Sequence, residues 1–190
     1  MAKTRKPGRP AAVRIIAGRA RGRRIPVESD SIRPTPDRVR ETVFNWLQAD
    51  LQDTSCLDMF AGTGALGIEA WSRGAGYITF VEQDRQAAKQ LGIRLEEFGI
   101  TGELRKADAL QLHYGNLGPF DIVFLDPPFQ GPDLANLCTL LESSGGLSAS
   151  ALIYMEMHRK TPLPELPAGW TVKKEQTAGQ VRFALAESGE

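Results

Sequence analysis

The sequence predicts an α/β domain built on a mostly parallel, seven-stranded sheet with an antiparallel hairpin at its carboxyl end. From residue 55 onward, short apolar runs alternate with segments of helical spacing, the pattern of strands joined by right-handed crossovers. The last two predicted strands have no helix between them and form a hairpin through residues 178–179. A length of 190 residues with 42% hydrophobic content suits one domain with a substantial core.

Capping and turn residues define the predicted elements. A first helix begins near Pro36 or Asp37, where Thr35 can cap the helix and proline suits its first position. Asp84 can cap a later helix. The further helices are predicted at 64–73, 84–98 and 132–142, and the strands at 55–60, 77–82, 103–107, 120–125, 151–157, 171–176 and 180–186.

Positive charge is concentrated at the amino end. The first 40 residues hold twelve basic and three acidic side chains, a net charge of +9, and the remaining 150 residues carry −9. We interpret residues 1–12 as a disordered basic tail, 13–35 as a hairpin extension with an arginine-rich face, and 36–190 as the main domain. An anionic polymer is the expected partner. The candidate contacts are Arg14, Arg19, Arg21, Arg23, Arg24, Arg33 and Arg38.

A glycine-rich turn follows the first strand of the predicted sheet. Gly62, Gly64 and Gly67 have the spacing of the dinucleotide-binding fingerprint, and Glu82 ends the next strand, where an acid binds ribose hydroxyls. A nicotinamide or flavin cofactor is therefore one interpretation of this segment.

Acidic residues at the ends of three strands favour a different ligand. Asp58 ends the first strand, where it would repel a pyrophosphate and attract an ammonium group. Asp108 adds an acid to the same edge as Asp58 and Glu82. A ligand with an amine, a ribose diol and an adenine amino group can use all three, and S-adenosylmethionine has these groups.

The apolar strand 120–125 runs directly into Asp126, Pro127, Pro128 and Phe129. Two prolines make this loop stiff, and it lies at the carboxyl edge of the sheet, where ligands bind in α/β folds. The Asp126 carboxylate and a backbone carbonyl can accept both hydrogens of a planar amino group, while Phe129 stacks on its ring. A plain strand-ending turn, with Phe129 in the core, is the alternative.

In chain order, these motifs resemble those of class I S-adenosylmethionine-dependent methyltransferases. The loop 126–129 is similar to the [Asn/Asp/Ser]-Pro-Pro-[Phe/Tyr/Trp] loop of enzymes that methylate exocyclic amino nitrogens. Residues 33–41 (Arg-Pro-Thr-x-Asp-Arg-Val-Arg-Glu), with Phe44 and Asn45, narrow the resemblance to the RsmD family, and it extends over about 13–186. It implies a Rossmann-like class I methyltransferase fold with helices on both faces and a small basic hairpin extension.

The same resemblance implies the activity. S-adenosylmethionine would be the cofactor, and the exocyclic N2 of the guanine at position 966 of 16S ribosomal RNA would be the methylated atom. Residues Asp126, Pro127, Pro128 and Phe129 would be catalytic, and the arginines above would contact RNA. The cofactor would be bound by Asp58, Phe60, Ala61, Gly62, Thr63, Gly64, Glu82, Gln83, Asp108, Ala109 and Asp126.

Partners and setting are expected to follow from this activity. The substrate would be 16S rRNA within a 30S subunit or an assembly intermediate, and the protein would act as a cytoplasmic monomer without metal or membrane. Cys56 and Cys138 are expected in the core, because they lack metal-type or redox spacing.

Two alternatives stay open. A DNA adenine-N6 or protein glutamine methyltransferase uses a similar proline loop, although 190 residues leave little room for a DNA recognition domain. A non-catalytic nucleic-acid-binding protein is the other, and the acids at three strand ends argue against it.

Overall fold

The computed structural model describes residues 12–27, 35–128 and 130–189. Two strands form a small antiparallel ribbon and seven form the main sheet, as the alternation of apolar segments predicts. The ribbon comprises β1 (Ala12–Arg14) and β2 (Arg24–Pro26), and the main sheet comprises β3 (Ser55–Asp58), β4 (Tyr77–Val81), β5 (Gly102–Arg105), β6 (Phe120–Leu125), β7 (Leu147–His158), β8 (Thr171–Ala178) and β9 (Val181–Glu187).

The strand order of the main sheet is β5-β4-β3-β6-β7-β9-β8. Strands β3 to β7 pair in parallel, whereas β9 pairs antiparallel with both β7 and β8. The predicted parallel sheet and its antiparallel carboxyl-terminal hairpin are therefore confirmed. The order reverses between β3 and β6, which opens a crevice beyond their carboxyl ends.

Helices cover both faces of this sheet, as expected. Helices α1 (Asp37–Trp46), α2 (Ala65–Arg73) and α3 (Arg85–Phe98) contribute to one hydrophobic core, and α4 (Leu134–Ser144) contributes to the other. The Asp84 carboxylate accepts hydrogen bonds from the first-turn amides of α3, which confirms the predicted cap. Cys56 and Cys138 are buried free thiols, as expected.

The predicted start of α1 is confirmed, but its predicted cap and one strand boundary were wrong. Thr35 does not cap α1, because Pro36 holds the capping position and the Thr35 hydroxyl donates to Asp126 instead. Strand β7 begins at Leu147 rather than 151, because Leu147 pairs with Phe120 ahead of a register shift in β6. A bulge of this kind lets a strand continue through the polar residues between the two paired segments.

The amino-terminal ribbon packs onto the domain through one buried carboxylate. Glu69 of α2 accepts hydrogen bonds from the backbone amides of Ile16 and Ala17, at 2.8 and 3.0 Å. Its two oxygens also pair with Arg40 and Arg73, at 3.4 and 2.7 Å. Arg40 is fully buried and donates to the carbonyl of Arg14, so α1, α2 and the ribbon share one charged cluster.

Within residues 12–27, 35–128 and 130–189, no helix has the length and apolar content needed to span a bilayer. The same described residues contain no group of three His, Cys, Asp or Glu side chains suited to hold a metal ion.

Candidate functional site

A cleft of about 1240 Å³ opens at the carboxyl ends of the parallel strands. Loops after β3, β4, β5 and β6 form its walls, and Thr35, Glu156 and the β8–β9 turn close one end. Such a volume exceeds the range of roughly 300–1,000 Å³ for a pocket holding one small molecule, so there is room for a second group. The sequence-predicted residues that line it are Asp58, Phe60, Ala61, Gly62, Thr63, Glu82, Gln83, Asp108, Ala109, Asp126, Pro127 and Pro128.

Gly64 belongs to the same loop but does not line the cleft. It precedes α2 with φ of 78°, a left-handed conformation that favours glycine. A Cβ at this position would lie 2.5 Å from Cδ1 of Leu91, so the residue serves the turn and the packing of α3.

Asp58 lies at the centre of the glycine loop. Its carboxylate accepts a hydrogen bond from the Gly67 amide at 2.9 Å. Burial, helped by the charges of Asp126 and Glu82, raises the pKa of Asp58 to about 7, although the Gly67 bond lowers it. The Gly67 amide of α2 already donates to a carboxylate of the protein, so the turn is unsuited to bind a pyrophosphate. An ammonium group of a ligand would instead stabilise the ionised form of Asp58.

The acid at the end of β4 faces the same cleft. Glu82 accepts hydrogen bonds from the amides of Gly62 and Asp84, each at 2.7 Å. These bonds fix both carboxylate oxygens, and each oxygen keeps a lone pair that can accept a ribose hydroxyl. Asp108 is exposed at the cleft wall, where it accepts from the Leu110 amide at 3.0 Å.

Asp126 directly follows β6, the strand paired with β3, and lines the same cleft as Asp58. The Thr35 hydroxyl donates to its Oδ2 at 2.7 Å. Burial raises the pKa of Asp126 to about 6, while the Thr35 bond lowers it. Pro127 is buried and Pro128 exposed, and Phe129 lies outside the described residues, so its stacking role stays a prediction.

Sequence reasoning missed two polar residues at this end of the cleft. Thr35 was assigned to a helix cap, and Glu156 of β7 was treated only as part of a strand. Both line the cleft beside Asp126. A lone glutamate among the apolar residues 153–157 was the available signal, because an acid in a buried strand is costly unless it has a role.

The predicted RNA-contacting arginines separate into two groups. Arg19 lies 4.0 Å above the Trp71 ring and donates to the Trp71 carbonyl, and Arg23 lies 3.4 Å above the Phe98 ring. These two side chains therefore attach the ribbon to α2 and α3. Arg33 lies outside the described residues, and the exposed remainder are Arg14, Arg21, Arg24 and Arg38.

Comparison with known proteins decides the family. The family model described as "Conserved hypothetical protein 95" matches residues 13–187. Ribosomal RNA small subunit methyltransferase D of Escherichia coli is 44% identical over 175 residues, covering 91% of this chain and 88% of that protein. The chain belongs to the RsmD family. The resemblance stated from residues 33–45 and the strand-end motifs is thus confirmed.

Solved structures agree with this membership. The yhhF protein of Escherichia coli, a solved structure, superposes on this RsmD-family chain with a TM-score of 0.86, at 40% identity, over 94% of this chain and 99% of that chain. An RNA methyltransferase from Salinibacter ruber, solved with S-adenosyl-L-homocysteine, has a TM-score of 0.60 at 17% identity over 83% of this chain and 95% of that chain. This second likeness concerns the fold, which is the Rossmann-like methyltransferase fold that the sequence predicts.

Proposed function

We propose that this protein transfers a methyl group from S-adenosylmethionine to the exocyclic N2 of a guanine in 16S ribosomal RNA, the guanine at position 966. The observation that carries the proposal is one cleft that is lined both by Asp58 and Glu82 and by the Asp126–Pro128 loop. A relative 44% identical, named a ribosomal RNA small subunit methyltransferase, supports the substrate class.

The residues of the glycine-loop end suit S-adenosylmethionine. Asp58 would accept its amino group, Glu82 its ribose hydroxyls, and Asp108 the adenine edge. The loop 60–63 would follow its backbone along the cleft wall, together with Gln83 and Ala109. When bound, the cofactor supplies an electrophilic methyl group on sulfur, and the acidic surroundings tolerate its positive charge.

The proline-loop end suits the acceptor. Guanine N2 is a weak nucleophile because its lone pair is delocalised into the ring. Asp126 and the Pro127 carbonyl accept its two hydrogens, which favours a pyramidal nitrogen with its lone pair directed at the methyl group. Asp126 takes the proton that N2 loses as the new N–C bond forms, and Phe129 stacks on the base after it is flipped out of the RNA.

We propose the following roles for the two parts of the chain and the following substrate and assembly state. The arginine-rich extension 13–35 binds RNA, and domain 36–190 performs the transfer. The substrate is 16S rRNA in a 30S subunit or assembly intermediate, and the protein acts as a cytoplasmic monomer.

A direct assay tests the proposed function. The protein is incubated with methyl-labelled S-adenosylmethionine and, separately, with unmodified 30S subunits, naked 16S rRNA, DNA and a protein extract. Nucleoside mass spectrometry should then find N2-methylguanosine in the ribosomal RNA. N6-methyladenosine, or label confined to DNA or protein, would overturn the assignment and favour the alternative amino-nitrogen methyltransferases. Binding to RNA without any transfer would favour a non-catalytic role.

Replacing Arg14, Arg21 and Arg24 with glutamine should weaken RNA binding and flatten its salt dependence. These side chains are exposed on the ribbon, and Arg14 and Arg21 line one surface groove. Each lost phosphate contact should reduce the slope of log K against log salt by about one unit. The measurement is RNA affinity from 50 to 200 mM salt, roughly the range over which such contacts weaken.

A matched control removes three exposed cations elsewhere, by changing Lys89, Lys173 and Lys174 to glutamine. Affinity for S-adenosylmethionine should be unchanged in both triple variants, because neither alters the cleft. Equal RNA affinity and equal slopes for the two variants would contradict the assignment of the ribbon as the RNA-binding surface.

A further inference from the structure

Glu156 is a buried acid next to the proline loop that the proposed reaction leaves unused. Leu125 of β6 pairs with Met155 of β7, so Asp126 and Glu156 follow a matched pair of residues at the same edge of the sheet. Both line the cleft, and only 5% of the Glu156 surface is exposed. A glutamate is therefore directed into the acceptor end of the cleft from the strand beside β6.

The surroundings of Glu156 hold it in one position. The hydroxyl of Tyr154, itself fully buried, donates to Oε2 of Glu156 at 2.7 Å. The Tyr154 ring packs between Phe124 and Phe183, with ring centroids 6.3 and 6.5 Å away. In the described part of the chain no lysine or arginine forms an ion pair with Glu156, so its carboxyl group is held by the hydroxyls of Tyr154 and Thr35 alone and lines the cleft without a compensating positive charge.

Keeping an acid here is costly for the fold. Burial and the neighbouring Asp126 raise the pKa of Glu156 to about 8, although the hydroxyls of Tyr154 and Thr35 lower it. A glutamine would satisfy the Tyr154 hydroxyl at lower cost. Groups of this kind concentrate at functional sites, and a cluster of two acids beside a binding loop suits a ligand with adjacent hydrogen-bond donors.

We infer that Glu156 accepts the N1–H of the target guanine while Asp126 accepts from its N2 amino group. This inference rests on the proposed function and explains how the site distinguishes guanine from adenine. Guanine presents N1–H and the N2 amino group as neighbouring donors on its Watson–Crick edge, whereas adenine presents a lone pair at N1 beside its amino group. The proline loop alone accepts any planar amino group, and two adjacent carboxyl groups select guanine.

The test compares two acceptors that both have the N2 amino group. 16S rRNA is assembled by ligation with either guanine or 2-aminopurine at the methylated position and reconstituted into 30S particles. 2-Aminopurine has a lone pair at N1 in place of N1–H and lacks O6. Both particles are assayed above about pH 8, where Glu156 is ionised and can only accept a hydrogen bond. Glu156→Gln should lower kcat/KM on guanine particles by roughly 10- to 100-fold, the range for one good base contact. The variant should also raise the ratio of kcat/KM on 2-aminopurine particles to kcat/KM on guanine particles, because the glutamine amide can donate to N1.

Controls separate this inference from a general loss of activity. Glu165→Gln, at an exposed position, should keep the wild-type ratio of the two substrates. Tyr154→Phe frees the Glu156 carboxyl without removing it, so the preference for guanine should fall by a smaller factor. If Glu156→Gln lowers kcat/KM by the same factor on both particles, so that the wild-type ratio of the two substrates is kept, the role of Glu156 is overturned. Failure of the wild-type protein to methylate guanine particles would instead overturn the proposed function.

Discussion

Replacing Asp126 with alanine should lower the rate of methyl transfer by roughly 10²- to 10⁴-fold, the usual contribution of a positioned proton acceptor. The variant loses both the acceptor that orients N2 and the group that receives its proton. Binding of S-adenosylmethionine should largely survive, because Asp58 and Glu82, the acids proposed to bind its amino group and ribose, remain in the cleft. Single-turnover transfer to 30S subunits and calorimetric cofactor binding measure the two properties separately.

Two further variants sharpen this result. Asp126→Asn keeps one carbonyl acceptor but cannot take a proton, so its rate should fall between wild type and alanine. Asp133→Asn is the matched control, because asparagine can still accept from the Ala135 amide at the start of α4. Wild-type activity in Asp126→Ala would contradict the proposed mechanism, and parallel loss of cofactor binding would indicate a structural defect instead.

The pH dependence of transfer should report the ionisation of Asp126. The ionised carboxylate is the active form, and its pKa is raised to about 6, so activity should decline as the pH falls through about 6. The Thr35 hydroxyl stabilises the charged form, because it donates to Oδ2. Thr35→Val should therefore raise the pKa of Asp126 and move the acidic limb to higher pH in a single-turnover profile. A shift to lower pH would contradict this role for Thr35.

Replacing Glu69 with alanine should reduce the free energy of unfolding by about 3–5 kcal/mol, the cost of breaking a buried ion pair. The change leaves the buried Arg40 with only Asp37, whose side chain is largely exposed, as an ion-pair partner, and it removes the acceptor for the amides of Ile16 and Ala17. Amides of residues 12–27 should then exchange with solvent faster than those of the main sheet. Urea denaturation and hydrogen exchange measure the two effects.

An exposed ion pair provides the comparison. Glu103 pairs with Arg105 at 2.7 Å on the partly exposed strand β5. Glu103→Ala should cost less than about 1 kcal/mol, because exposed pairs are screened by solvent. Similar losses for Glu69→Ala and Glu103→Ala would contradict the view that the buried cluster holds the ribbon in place.

The sequence was sufficient to place the strands and helices along the chain, to predict a mostly parallel sheet with a terminal hairpin, and to find most of the loops around the cleft, but it did not predict the strand order. Apolar runs such as 120–125 and the cap at Asp84 are local signals, and they predicted elements within a few residues of those observed. The loop residues that line the cleft were found for the same reason, because each follows a predicted strand in the chain.

Contacts between segments that are distant in the sequence could not be predicted from local signals. Thr35 and Asp126 are 91 positions apart, and nothing local indicates that their side chains meet. The same holds for Arg19 and Arg23, whose alternation with apolar residues indicated a polyanion-binding face. Aromatic rings on α2 and α3 attract both side chains, and that attraction depends on how the ribbon packs against the domain.

The two stacked arginines of the ribbon have a thermodynamic consequence. A basic arm that folds only on its target loses conformational entropy at that moment, and its net affinity is reduced accordingly. Here Arg19, Arg23 and Glu69 already hold residues 12–27 against α2 and α3 in the unbound chain. The conformational entropy of this segment is therefore lost when the protein folds and not when it binds. As a result, more of the attraction between the exposed arginines and a polyanion contributes to the binding affinity.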